Sequence, residues 1–175
     1  MLDSLSRGGF PESALAENDA ASFRWRQEFL KSLVERDLPM LGTRVSRVAM
    51  ERFLSMCSHL QSQILNADKL GSTLDLSGPA VRARLQFLQE ALFVRILPAW
   101  NGKLKKRLVK APKLYIRDTG LVHAMHGIAS ANEFLAHPVF GSSWEALCVE
   151  TLVASMPGAR IVLPEFRRRR TRLGP

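Results

Sequence analysis

The residues with the clearest chemistry in this sequence are basic side chains between positions 82 and 117. This stretch holds ten Lys or Arg residues and one Glu. Long cationic side chains contact the phosphates of a nucleic-acid backbone and release counterions, which gives affinity without sequence preference. We therefore predict duplex DNA as the partner of Arg82, Arg84, Lys103, Lys105, Lys106, Arg107, Lys110 and Lys113. The same charges would also suit a hairpin that only solubilises the chain or that faces a partner protein.

The histidines and carboxylates do not form a recognisable catalytic set. His123 and His126 are three residues apart, but no Cys or Glu at ligand spacing completes a metal site. We predict that they are a pair on a helix surface or at a helix end. Glu145 and Glu150 are five residues apart, so they point in different directions on a helix. The sequence predicts no catalytic residue and no bound metal.

Apolar residues at helical spacing predict two long helices ahead of the basic region. Residues 1–20 are expected to be an irregular lead-in, and the first helix runs from Ser22 to Asp37, before Pro39. The second helix spans about five turns. Its predicted core face consists of Val45, Val48, Ala49, Arg52 or Phe53, Met56, Cys57, Leu60 and Ile64.

Two capped helices and a hairpin come next. Asn66 is a predicted N-cap of a short helix, and Ser77 is a predicted N-cap of a longer one. A β-type run at 92–97 leads to Asn101-Gly102, a dipeptide typical of tight hairpins, and a returning strand is expected within 107–116. This order predicts a winged helix-turn-helix, with the Ser77 helix as the recognition helix and the basic hairpin as the wing.

The rest of the chain is predicted to be helical again. Asp118 is a predicted N-cap, and a longer helix follows Pro138. The predicted core face of that helix consists of Phe140, Trp144, Leu147, Cys148, Thr151 and Leu152. Residues 160–175 hold six Arg and one Glu and are expected to be a basic, disordered tail. The predicted fold class is mainly α with a small β component.

Five short motifs occur in order along the chain. They are Arg7-Gly8-Gly9-Phe10-Pro11-Glu12, Glu35-Arg36-Asp37-Leu38-Pro39, Lys106-Arg107-Leu108-Val109-Lys110-Ala111-Pro112-Lys113-Leu114-Tyr115, Arg117-Asp118-Thr119-Gly120-Leu121, and His137-Pro138 followed by Gly141 and Trp144-Glu145. Together they resemble the C-terminal part of bacterial and archaeal AAA-type ATP-binding proteins that carry a C-terminal domain of unknown function. The resemblance covers roughly residues 7–155.

The resemblance implies an ATPase module, then a winged helix, then the start of a nuclease-like α/β domain similar to restriction-type nucleases. On that basis residues 1–40 would end the ATPase module, 41–117 would form the winged helix, and 118–159 would be an incomplete nuclease-like domain before the tail. The chain has no G-x-x-x-x-G-K-[ST] loop, so we expect no cofactor here, and ATP and Mg are implied only for a full-length relative.

The nuclease-like part departs from the family pattern. By resemblance, Glu145 stands where such folds place an acidic residue of the first helix, which makes it a possible vestige of a nuclease site. Glu165-Phe166-Arg167 has Arg where an E-x-K motif needs Lys, and Arg cannot exchange a proton in that role. The arginine tail replaces the strands expected next, which predicts a truncated or frame-shifted end.

We therefore predict a non-catalytic C-terminal fragment of such a protein that engages DNA through a basic winged helix. The alternatives are a protein-docking or regulatory module of the ATPase with no nucleic-acid role, and the remnant of a metal-dependent nuclease. No stretch approaches the roughly 18 to 20 apolar residues that span a bilayer. We therefore expect no membrane partner. Cys57 and Cys148 lack C-x-x-C spacing, so a reducing, cytoplasmic location is expected rather than a disulfide framework.

Overall fold

A computed structural model describes residues 2–98 and 111–156 of the chain. The helices are α1 Leu2–Arg7, α2 Pro11–Ala14, α3 Asp19–Ser32, α4 Leu38–Met40, α5 Arg47–His59, α6 Ala67–Leu74, α7 Gly78–Glu90, α8 Thr119–Met125, α9 Ala131–Ala136 and α10 Phe140–Ser155. The strands are β1 Gln63–Ile64, β2 Val94–Leu97 and β3 Lys113–Ile116. The prediction of a mainly α-helical fold with a small β component is confirmed.

The first twenty residues are not an irregular lead-in. Leu5 of α1 is fully buried, and its carbonyl accepts a hydrogen bond from the Thr119 hydroxyl at 2.8 Å. Arg26 of α3 is also buried and donates to the carbonyls of Ser6 and Gly120. A six-residue helix is too short to show a periodic signal, and here contacts with distant residues hold it in place.

A π-helical turn at Leu33–Asp37 joins α3 to α4. The Leu38 N–H donates to the Leu33 carbonyl five residues earlier, which is the π-helical pattern. Leu33, Val34 and Leu38 are all buried. The helical path therefore continues three residues beyond the predicted end at Asp37 before the chain turns.

Helix α5 is shorter than the sequence predicts. It ends at His59, and Ser62 adopts a positive φ of 60° that turns the chain into β1. Its core face carries Met50, Phe53, Leu54 and Cys57, whereas two residues predicted to be core are exposed: Val48 and Ile64. The prediction for these two is wrong because Val48 lies on the outer side of the first turn and Ile64 belongs to the edge strand β1.

Both predicted N-caps in the next segment are confirmed. The Asn66 side chain accepts from the N–H groups of Asp68 and Lys69, and the Ser77 hydroxyl accepts from the Ala80 N–H. The predicted strand at 92–97 is present as β2, and the described part of the returning strand is β3. The Asn101-Gly102 hairpin and the tail at 160–175 lie outside the described residues.

The three strands form an antiparallel sheet in the order β1-β3-β2. Val94 pairs with Ile116 and Leu97 pairs with Lys113, so the end of β2 and the start of β3 lie side by side. Phe53, Leu85 and Ile116 belong to one buried core that also includes α1, α8 and α9. Residues of the three segments predicted as separate domains, 1–40, 41–117 and 118–159, therefore share this core among the described residues.

The face that α10 buries differs from the prediction. The buried residues of α10 are Ser143, Ala146 and Val149, whereas Trp144 and Leu152 are nearly half exposed. Ala146 and Val149 pack with Leu97 and Tyr115 of the sheet. Within residues 2–98 and 111–156, no helix is long and apolar enough to cross a membrane. Both cysteines are free thiols, Cys57 buried and Cys148 exposed.

Candidate nucleic-acid interface

Helix α7 presents one polar face to solvent. Pro79 in its first turn and the Ser77 cap fix where it begins, and Val81, Leu85 and Leu88 attach it to the core. The opposite face includes Arg82, which is exposed and lies 3.6 Å from the carboxylate of exposed Asp68. Exposed ion pairs contribute at most about 1 kcal/mol, so Arg82 can exchange Asp68 for a phosphate at little cost.

Arg84 does not share that face. It is half-buried, and its guanidinium carbon lies 5.6 Å from the ring centre of Phe53, in a cation–π contact with α5. Of the two arginines predicted on the recognition helix, the structure therefore places Arg82 on the exposed face and Arg84 against the core.

Lys113 and Glu145 contact each other. One oxygen of the Glu145 carboxylate accepts from the Lys113 ammonium and from the Tyr115 hydroxyl, each at 2.7 Å. Burial and the neighbouring Glu145 carboxylate raise the pKa of Tyr115. Lys113, predicted to bind phosphate, and Glu145, predicted to be a vestigial nuclease acid, therefore form an ion pair with each other.

Glu150 holds a second charged cluster on the sheet. Both of its oxygens accept from Arg95, and one also accepts from the Arg117 Nε at 2.9 Å. Burial alone would raise the pKa of Glu150, but the hydrogen bonds from Arg95 and Arg117 outweigh it and lower the pKa below its usual range. Two carboxylates of α10 thus lie over cations of β2, β3 and the residue that follows β3.

The remaining basic residues belong to the connection between β2 and β3. Lys103, Lys105, Lys106, Arg107 and Lys110 lie outside the described residues. Leu97, at the end of β2, pairs with Lys113, at the start of β3. The connection therefore leaves and re-enters the sheet at neighbouring positions.

Two of the motifs meet at a joint between α1 and α8. The Asp118 carboxylate accepts from the Leu121 N–H at 2.9 Å, which confirms the predicted N-cap, and from the Gly9 N–H at 2.7 Å. Gly8 has a φ of +84°, and a Cβ on Gly8 would overlap the Asp118 carboxylate. Burial raises the pKa of Asp118, against the lowering effect of these hydrogen bonds. The sequence showed the cap but not the Gly9 contact, since the two segments are far apart in the chain.

His123 is fully buried, so the prediction of a surface or helix-end position is wrong for this residue. Its Nδ1 lies 2.8 Å from the Ser6 carbonyl oxygen, and its Nε2 lies 2.9 Å from the Ser143 hydroxyl. Burial lowers the pKa of His123 to about 4, so the ring is neutral at pH 7. A neutral ring that donates through Nδ1 and accepts through Nε2 satisfies both partners. His126 does lie at a helix end, as the C-cap of α8.

A shallow cleft of about 310 Å³ opens beside the joint. Its charged lining consists of Arg117, Asp118 and Glu150, all of which already bind neighbours within the fold. Across the two described ranges, no three His, Cys, Asp or Glu residues are arranged to hold a metal ion. The exposed face of α7 is therefore the better candidate for binding a partner.

Comparisons with known proteins identify relatives without assigning them an activity. The chain is similar to the uncharacterized protein Mb2031c of Mycobacterium bovis and the uncharacterized protein Rv2008c of Mycobacterium tuberculosis. Each is 37% identical over 148 residues, which is 85% of this chain and 34% of the relative. The chain thus spans about a third of the length of these relatives, and no solved structure matches it. Residues 1–132 match the family described as "Domain of unknown function (DUF8612)", and the chain belongs to that family.

Proposed function

We propose that this chain is a winged helix that engages duplex DNA and belongs to the C-terminal part of an AAA-type ATP-binding protein. The support is the element order α5, β1, α6, α7, β2, β3, combined with the sheet order β1-β3-β2. A helix-turn-helix followed by a two-stranded hairpin has this order. The observation that carries the proposal is the capped helix α7, which buries one face and exposes Arg82 on the other.

In this proposal the DNA contacts come from Arg82 and the basic connection between β2 and β3. Arg84 and Lys113 keep their contacts with Phe53 and Glu145. The connection carries five cations and no acid between positions 103 and 110, so its interaction with phosphates is favourable along its whole length. Affinity should therefore depend steeply on salt and weakly on DNA sequence.

The test is fluorescence anisotropy of a labelled duplex, with the full chain titrated at several salt concentrations. Reversing two charges with Lys105→Glu and Lys106→Glu should abolish binding. Arg82→Ala should reduce the slope of log K against log salt by about one. Arg36→Ala is the matched control, because Arg36 is also exposed and ion-paired but lies on the π-helical turn, where it pairs with its neighbour Asp37. Equal binding by all four proteins would refute the proposal.

The arginine tail needs a separate comparison, since it alone could bind DNA without specificity. Replacing the four arginines at 167–170 by Gln leaves the rest of the chain unchanged. Under the proposal this variant keeps a steep salt dependence and still responds to the charge reversals. If the replacement removes all binding, the affinity belongs to the tail and not to the proposed winged helix.

Two observations favour a second candidate, a protein-docking module without a nucleic-acid role. Arg84 and Lys113 are engaged inside the fold, and apolar side chains are exposed on α10 at Trp144 and Leu152 and at its C-cap Met156. This candidate predicts no DNA binding even at about 50 mM salt, where phosphate contacts are strongest. It also predicts a change in tryptophan fluorescence when an AAA-type ATPase module is added, which Trp144→Phe should diminish.

A further inference from the structure

Three histidine rings from three different helices meet on the side of the fold formed by α5, α8 and α9. His59 is the last residue of α5, His126 is the C-cap of α8, and His137 is the C-cap of α9. The ring centres of His59 and His126 are 4.6 Å apart with nearly perpendicular planes, and those of His126 and His137 are 5.5 Å apart. These residues play no part in the proposed DNA contacts.

His126 has one ring nitrogen without a partner. Its Nε2 is buried and has no hydrogen bond with any described residue. A neutral imidazole carries its proton on one ring nitrogen and a lone pair on the other, and a metal ion binds through that lone pair. The buried, unpartnered Nε2 of His126 is therefore free of any competing hydrogen bond with a described residue.

His59 is the neighbour best placed to share a metal ion with that nitrogen. Two imidazoles bound to one zinc ion at about 2.0–2.1 Å have ring centres about 5 Å apart, close to the distance between these two rings. His59 is exposed and can turn its ring toward His126. It also ends the thirteen-residue helix α5, whose C-terminal carbonyls attract cations.

His137 lies close but is differently engaged. Its Nδ1 accepts a hydrogen bond from the Val139 N–H at 3.1 Å, so in the neutral ring the proton is on Nε2. This ring cannot bind a metal through Nε2 unless that hydrogen bond breaks, which agrees with the lack of a ready three-ligand set among the residues described.

We propose that His59 and His126 form a binding site for a divalent transition metal ion that favours imidazole, with Zn²⁺ as the representative, and with water completing the coordination. Imidazole ligands suit Zn²⁺, Cu²⁺ and Ni²⁺, whereas Mg²⁺ and Ca²⁺ prefer oxygen. The ion would link the C-terminal ends of α5 and α8.

Isothermal titration calorimetry of the full chain with Zn²⁺ at pH 7.5 tests this site. We expect one equivalent to bind, His59→Gln and His126→Gln each to weaken binding by at least about tenfold, and His137→Gln to have a smaller effect. Cys148→Ser is the control for the exposed thiol, and it should leave the affinity unchanged. Mg²⁺ should not bind at this site.

A thermal unfolding series separates a real site from loss of folding. Zn²⁺ should raise the Tm of the wild type and of Cys148→Ser, because an ion that binds only the folded state stabilises it. It should not raise the Tm of His59→Gln, whose exposed side chain can change without unfolding the chain. Zn²⁺ binding that survives in both His59→Gln and His126→Gln, or no binding by the wild type, would overturn the assignment. Neither result depends on DNA binding.

Discussion

Replacing Gly120 by Ala should destabilise the fold, because the added methyl group has no space. Gly120 lies in the first turn of α8, where α1 approaches it closely. A Cβ on Gly120 would overlap the Arg7 carbonyl and would lie 2.7 Å from the backbone nitrogen of Gly8. These are backbone atoms and cannot rotate away, so α1 and α8 must move apart. That movement weakens the hydrogen bonds from Thr119 to Leu5 and from Arg26 to Gly120.

The expected size follows from three contributions. Overpacking costs about 1–3 kcal/mol, and the two weakened hydrogen bonds cost about 1 kcal/mol each. Ala is a better helix former than Gly by about 1 kcal/mol, which offsets part of this cost. The free energy of unfolding of Gly120→Ala should therefore fall by roughly 2–4 kcal/mol. For a domain of this size the Tm should fall by on the order of 10 °C.

Gly141→Ala is the matched control. Gly141 is exposed in α10, and a Cβ there would meet no atom within 4 Å. This substitution should stabilise the chain by a few tenths to about 1 kcal/mol. Urea unfolding followed by tryptophan fluorescence measures both variants. The reasoning fails if Gly120→Ala stays within about 0.5 kcal/mol of the wild type, or if the two substitutions change stability in the same direction.

Three further substitutions test other parts of the fold. The pKa of Glu150 is lowered, so the stability that its ionised carboxylate contributes is full above about pH 4.3 and is lost as the pH falls further. Glu150→Gln should therefore flatten the fall in the free energy of unfolding between about pH 5 and pH 3. The same substitution at the exposed residue Glu28 should not flatten it. His123→Ala removes the ring's hydrogen bonds with the Ser6 carbonyl, which keeps its bond from Arg26, and with the Ser143 hydroxyl, and it leaves a cavity, so it should cost about 2–4 kcal/mol in urea unfolding. A loss below about 1 kcal/mol would show that water replaces the ring. Ser77→Ala should cost about 1 kcal/mol by removing the cap of α7, measured by thermal circular dichroism, and no change would mean that the cap is dispensable.

Features that depend on neighbouring residues could be predicted from the sequence. Asn66, Ser77 and Asp118 are all N-caps as predicted, because a cap needs only a short polar side chain and the N–H groups two or three residues later. The strand at 92–97 was recognisable for the same reason, since β-branched and aromatic residues in a short run favour an extended backbone.

Features that depend on distant residues were missed. The apolar stripe of α10 suggested that Trp144 faces the core, but the helix packs on a sheet that presents Arg95, Lys113 and Arg117. Its carboxylates and small residues therefore turn inward, and Trp144 turns outward. His123 was misplaced likewise, because the groups that satisfy its ring come from α1 and α10.

The candidate interface was predictable only in part. The sequence identified Arg82, whose exposure follows from the helical period of α7 once Val81 and Leu85 are taken as core. It did not show that Arg84 packs on Phe53, since an arginine two residues later has a stem long enough to reach a neighbouring helix. Charge counts along a sequence therefore overestimate the number of cations that remain free in the fold.

The π-helical turn at Leu33–Asp37 limits how this segment can change in length. A π turn contains about one residue more than an α turn, so it rotates the following residues by about 100° relative to a continuous α-helix. Leu38 reaches the core only because of that extra residue, and deleting one residue here would point it away from the core. Gly42, a few residues later, has a φ of +99°, and a Cβ added there would meet no atom within 4 Å, so the loop around it can accept insertions. Homologues should therefore vary in length at the loop and not at the π turn.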